Sequence, residues 1–191
     1  MNERYKRLRA GENLFALLLL FPLAAFGQTA AIDPGSFDKD TYTNRSLGFT
    51  VKLAPGLTLD KEAMAEAPHS QQTSVLISAW TDIPPGSLRP GMVLYADRLS
   101  QFPEDRRTAE AYVARVVRSQ VPNGYEVIHE RAEKKVGENT LHCADFRKTL
   151  AYETVCVATL RGFALVFVFL GSGQEQVDTM MRSTGLELTR E

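Results

Sequence analysis

The alternation of apolar and polar side chains divides this chain into short strands and two helices. Phe49, Val51 and Leu53 alternate with Thr50 and Lys52, the period-two pattern of a half-buried strand, and Asn44-Arg45-Ser46 turns into it from a short first strand. Pro55-Gly56 ends that strand, and the polar stretch 57–72 carries one expected helical turn around 61–66. Strands are predicted over 74–80 and 92–99, separated by a surface loop holding Pro84, Pro85, Gly86, Pro90 and Gly91. Ala109, Tyr112, Val113, Val116 and Val117 then recur at helical spacing, with Glu110, Arg115 and Arg118 on the other face; Thr108 caps the start and Pro122-Asn123-Gly124 ends the helix. Four strands follow, over 125–132, 140–148, 152–160 and 163–170, with turns at Val136-Gly137-Glu138-Asn139, Thr149-Leu150 and Arg161-Gly162. The last is apolar at every position, so it must be covered on both faces near the centre of a sheet. Ser172-Gly173-Gln174-Glu175 reads as a capping box for a short helix bearing Val177, Met180 and Met181 and stopping at Gly185. The order predicts an α+β domain: an antiparallel sheet of about six to seven strands with helices packed on both faces.

Tyr42-Thr43-Asn44, followed by Leu47-Gly48-Phe49-Thr50-Val51 and Pro55-Gly56, resembles the opening of the PsbP-like α/β/α sandwich group, which includes the PsbP subunit of photosystem II, a Ran-binding nuclear import factor and DcrB-like bacterial secreted proteins. The helix with Tyr112, Val113, Val116 and Val117, the meander after Gly124 and the closing Leu186-Glu187-Leu188 fit the same group over about 150 residues. The chain departs from the group at Leu57-Thr58-Leu59, where a tryptophan often follows the first proline-glycine. Members differ in partner and are mostly non-catalytic, so the resemblance implies a binding or accessory module and transfers no active-site residue.

The N-terminal segment changes the compartment. Arg4, Lys6, Arg7 and Arg9 precede an uncharged apolar run over 14–26, and Ala25-Phe26-Gly27 offers small side chains for cleavage before Gln28. This is the layout of a cleavable signal peptide over residues 1–27; its apolar run, broken by Pro22, is shorter than the ~20 residues of a membrane-spanning helix. Residues 28–40 read as a flexible lead-in and 41–191 as a single domain. The whole chain of 191 residues has 22 Lys and Arg against 23 Asp and Glu; removing the four basic and two acidic residues of 1–27 leaves 18 against 21, a formal charge of −3 over 164 residues. A mildly acidic protein has no broad basic field for nucleic acid, and no later segment is long enough to span a membrane, so an extracytoplasmic product, periplasmic or secreted and without a stable membrane anchor, is expected.

Candidate chemistry is sparse. If the 140–160 hairpin turns symmetrically about Thr149-Leu150, Cys143 lies directly opposite Cys156, within disulfide reach; a shift of one residue would leave two buried free thiols. The spacing is not that of a redox-active C-x-x-C pair. His69, His129 and His142 form no ligand-spaced cluster with cysteine or glutamate, and a turn at 137–138 places His129 opposite about position 146, so they read as sheet-surface histidines. Gly171-Ser172-Gly173 does not match a nucleophile elbow, and Asp97, Glu130 and Asp145 are scattered over strands with no spacing that marks an acid/base pair. Glu104-Asp105-Arg106-Arg107 reads as the solvated start of a helix whose arginines can join a partner surface, and Asn44-Arg45-Ser46 matches a glycosylation acceptor. No catalytic, cofactor or metal residue is assigned. The expected function is an exported binding or accessory module for an unidentified protein or envelope component, contacted through the 82–90 loop with Trp80, Pro84, Pro85, Leu88 and Arg89; Trp80 serves equally well as core. The alternative is a small secreted enzyme or small-ligand carrier, which needs a concave pocket with converging polar groups; His129, His142 and a carboxylate meeting in one cleft would point to it.

Overall fold

The computed structural model describes residues 31–67, 70, 72–83 and 87–189. The signal peptide expected over 1–27 lies outside the described residues, as do His69, Pro84 and Pro85. Among the described residues, eleven strands form two antiparallel sheets. The smaller has the order β1-β2-β3-β11, from β1 (Ser36–Asp38), β2 (Thr41–Asn44), β3 (Phe49–Lys52) and β11 (Gly185–Leu188). The larger has seven strands in the order β4-β5-β6-β10-β9-β8-β7. Its members are β4 (Leu57–Leu59), β5 (Thr73–Thr81), β6 (Gly91–Arg98), β7 (Glu126–Val136), β8 (Asn139–Lys148), β9 (Ala151–Leu160) and β10 (Phe163–Gly171). The helices are α1 (Lys61–Glu66), α2 (Ala109–Gln120) and α3 (Gln174–Ser183).

The wholly apolar strand is β10, fourth of the seven, and its two sets of side chains serve two cores. Leu165, Phe167 and Phe169 point into one core with Tyr42, Phe49 and Val51 of the small sheet and Val177, Met180 and Met181 of α3. Ala164 and Val166 point into the other, with Tyr112 and Val113 of α2 and Val75, Tyr95, Phe146 and Val157. One face of the large sheet is thus covered by α2; the other is covered chiefly by the small sheet, with α3 beside it. The expected α+β class and seven-stranded antiparallel sheet are present, and a second β layer, built from both ends of the described chain, shares with α3 the covering of the second face.

The structure differs from the sequence reading at five places. Ser36–Asp38, assigned to the lead-in, pairs with β2, and Ile32 before it is buried, because a three-residue strand leaves no periodic signal of its own. Leu57–Leu59 is an edge strand on β5, and the segment after Gly185 pairs with β3. The capping box at Ser172 is displaced: α3 starts at Gln174 after Gly173, and Gln176 Oε1 accepts from the Ser172 backbone N–H at 2.8 Å. Asn44, the matched glycosylation acceptor, is fully buried, its amide donating to the Asp33 carbonyl at 2.7 Å while its Oδ1 accepts from the Leu47 N–H at 2.9 Å.

Candidate functional site: an arginine cleft on the outer helix

The hairpin expected about Thr149-Leu150 forms in that register, and Cys143 and Cys156 face each other with Cα atoms 4.1 Å apart and joined by a disulfide. Both are fully buried in the core beneath the small sheet, which makes this bond a staple of the interior.

Trp80 is half-buried against the α2-side core, and its indole N–H donates to Ser78 Oγ at 2.9 Å. Its strand partner is Gly91, where a Cβ would stand 2.3 Å from the indole, so the ring lies across the glycine and its flat surface is largely spent on packing. Beyond it, Arg89 is exposed and donates from Nε to the Thr81 carbonyl at 3.3 Å. Leu88 is half-buried.

The histidines do not converge. His142 lies toward α2, with Nε2 3.9 Å from Glu110, whereas His129 lies toward the other core. Bulges in β7 place His129 opposite Asp145 in place of 146, and its Nδ1 sits 2.8 Å from Asp145 Oδ2. The same carboxylate, fully buried, accepts from Lys134 Nζ at 2.8 Å and Thr154 Oγ1 at 2.6 Å. Burial pushes the Asp145 carboxyl up, but Lys134, Thr154 and His129 together outweigh it and hold it below the usual carboxylate range. Lys134 also reaches Asp178 of α3 at 3.3 Å, so the cluster ties that helix to the sheet.

Two further carboxyls are buried under α2. Asp97 accepts a hydrogen bond from the Tyr112 hydroxyl, and burial raises it above the carboxylate range against the opposing pull of Thr73, Tyr112 and Arg115. Glu153 accepts from Gln120 Nε2 at 3.0 Å and is pushed up to about 7 by burial, opposed by Tyr125 and Lys148. Glu153 was missed in the sequence, although its position two residues before Val155 on the same strand face is the signal that marks it as inward.

The outer side of α2 carries a further group of exposed and half-buried side chains. Thr108 Oγ1 accepts from the Ala111 N–H at 3.2 Å to cap the helix, whose buried face carries Ala109, Tyr112 and Val113. That rotation leaves Ala111, Ala114 and Arg118 together on the outward side, with Arg115 one turn after Ala111. Opposite them run two short 3-10 turns, Leu99–Gln101 and Glu104–Arg106, on either side of Pro103. The segment is held by Arg107 Nε donating to the Phe102 carbonyl at 2.8 Å and by Phe102 meeting Tyr112 edge to face, centroids 5.9 Å apart.

Between helix and turns lie two adjoining depressions of about 310 and 340 Å³. The alanines form an apolar floor, and Phe102, Pro103 and Tyr112 form one wall. Every strongly charged lining residue is an arginine: Arg106, Arg115 and Arg118. The Arg115 guanidinium lies 4.4 Å over the Phe102 ring and 5.6 Å from that of Tyr112, and its charge acts on the buried Asp97. Arg106 and Arg118 are exposed. The sequence marked Arg106 as partner-surface material and Arg118 as solvent-facing; only the folded turn brings the two together.

Among solved structures, the chain is similar to the solution structure of cyanobacterial PsbP (CyanoP) from Synechocystis sp. PCC 6803, at 14% sequence identity and a TM-score of 0.49, covering 87% of this chain and 100% of that one. No protein-family model matches the chain, and no curated protein matches it. Among the described residues, no helix is long and apolar enough to cross a membrane.

Proposed function

We propose that this protein is an exported, non-catalytic binding or accessory module whose partner, a protein or an envelope component, seats on the outer face of α2. The observation that supports this reading is the cleft itself, a concave surface lined by Arg106, Arg115 and Arg118 on a chain whose formal charge is −1. The buried carboxyls Asp97, Asp145 and Glu153 are occupied by neighbouring side chains, which fits a binding scaffold better than an acid/base site. His129 and His142 lie on opposite faces of the large sheet, so they do not make the convergence that would point to the enzyme alternative. Residues 82–90 are the alternative surface, through exposed Arg89 and half-buried Leu88.

Affinity isolation of the tagged protein from an envelope extract separates the two surfaces. The expected result is that R106Q/R118Q loses the recovered partner while deletion of Pro84 to Arg89 keeps it, with both variants folded by circular dichroism. Recovery unchanged in both overturns the proposal of a partner-binding surface at either place.

A further inference from the structure

We infer that the α2 cleft binds a phosphate monoester carried on an apolar body. The inference rests on the reading of this face as the binding surface and adds the chemistry of what it holds.

Guanidinium charge is permanent and its donors lie in a planar fork, so arginine suits oxyanions with several acceptor oxygens. Here the exposed forks come from two elements, Arg106 from a 3-10 turn and Arg118 from α2, so an anion between them is approached from two sides. A phosphate monoester carries nearly two negative charges at neutral pH and three terminal oxygens, enough for more than one fork; a carboxylate fills one.

The acidic side chains nearby compete weakly. Asp105 is 3.9 Å from Arg106, but both side chains are largely exposed, at 77% and 65%, where an ion pair contributes little. Glu110 points to His142, away from the cleft lining. Asp97 lies buried beneath Tyr112, and among the three arginines it interacts with Arg115. The apolar floor of Ala111 and Ala114 and the wall of Phe102 and Pro103 would be wasted on a bare inorganic ion. They suit the aryl or alkyl part of an ester, in the usual pattern of an apolar pocket with a few placed polar groups.

Both a lipid headgroup and a soluble ester present this group, and the test has an arm for each. Phenyl phosphate titrated calorimetrically into the purified protein should bind saturably, one to one, and about tenfold more tightly than inorganic phosphate or benzoate. R106Q/R118Q should weaken phenyl phosphate roughly tenfold or more with the melting temperature unchanged, and Arg118→Lys, which keeps charge but loses the fork, should recover only part of it. Co-sedimentation with phosphatidic-acid vesicles, lost in R106Q/R118Q, identifies a headgroup; binding of phenyl phosphate without co-sedimentation identifies a soluble ester. The inference is overturned by no saturable binding of phenyl phosphate at millimolar concentration together with no vesicle binding. It is equally overturned by benzoate binding as tightly as phenyl phosphate, or by an unaltered affinity in R106Q/R118Q. If phenyl phosphate fails while R106Q/R118Q still loses its envelope partner, the ligand class is wrong and the surface stands.

Discussion

Glu153 sits on the face of β9 that looks toward α2, two residues before Val155, with Gln120 and Tyr125 as hydrogen-bond partners. Burial moves its carboxyl from an ordinary 4.5 to about 7, so the folded chain holds this proton more tightly than the unfolded chain does. Its contribution to stability is therefore fully present below pH 4.5 and is lost as pH rises through about 7. The shift corresponds to roughly 3 kcal/mol across that window. Asp97, also raised by burial, acts in the same direction. Glu153→Gln keeps an acceptor for Gln120 and removes the titration, so urea midpoints measured from pH 5 to pH 8 should fall for the natural protein and fall distinctly less for the variant. Parallel pH profiles for the two proteins would rule Glu153 out as the source of the slope.

At the scale of elements, α3 is held to the large sheet both by its apolar stripe and by Lys134, which bridges Asp145 and Asp178. Lys134 is mostly buried and Asp145 wholly so, and removing one partner of such a pair leaves an uncompensated charge, at a cost of about 3 kcal/mol. Lys134→Met should lower the urea midpoint accordingly. It should also move acid unfolding to higher pH, because the depressed Asp145 stabilises the fold above its unfolded value of 3.8 and loses that effect as pH falls through its folded value. Asp178→Asn, at the more exposed end, should cost about 1 kcal/mol or less; equal losses for both variants would contradict the buried charge as the cause. The elements legible in the sequence were those with a period or a local turn: α2, the β8–β9 register that aligned the cysteines, and β10 with its two apolar faces. β1, β4 and β11 were hidden because they are only three or four residues long and no apolar alternation continues beyond them, as Leu53 continues that of β3. The cleft was hidden for a related reason: Arg106 and Arg118 meet only because the turns after Leu99 fold back along α2.

At the scale of the whole molecule, the small sheet joins residues from both ends of the described chain, and β3 pairs with β11 to close it. Gly137 marks how close this closure is: with φ of 56°, in the left-handed region, its Cβ position lies 2.7 Å from the Thr184 carbonyl oxygen, so a larger residue would push the β7–β8 turn off the final strand. The disulfide lies in the core between the sheets, where solvent reductant reaches it only through opening of the domain. Its formation therefore belongs to the folding compartment, and an exported protein meets the oxidant that a cytoplasmic one does not. If residues 1–27 direct export, the protein recovered from the cell envelope should have a mass lacking those residues and two hydrogens fewer than the dithiol form, and should take up no alkylating agent before denaturation. Reduction of the unfolded chain followed by refolding should give a protein about 2–3 kcal/mol less stable, the entropy of a closed loop with a sequence separation of 13. Retention of the N-terminal segment in the envelope form would overturn cleavage, and two native thiols open to alkylation would overturn the bond. If the bond and the cleavage are both found, the compartment follows from two independent chemical marks, one at the N-terminal end and one at the centre of the fold.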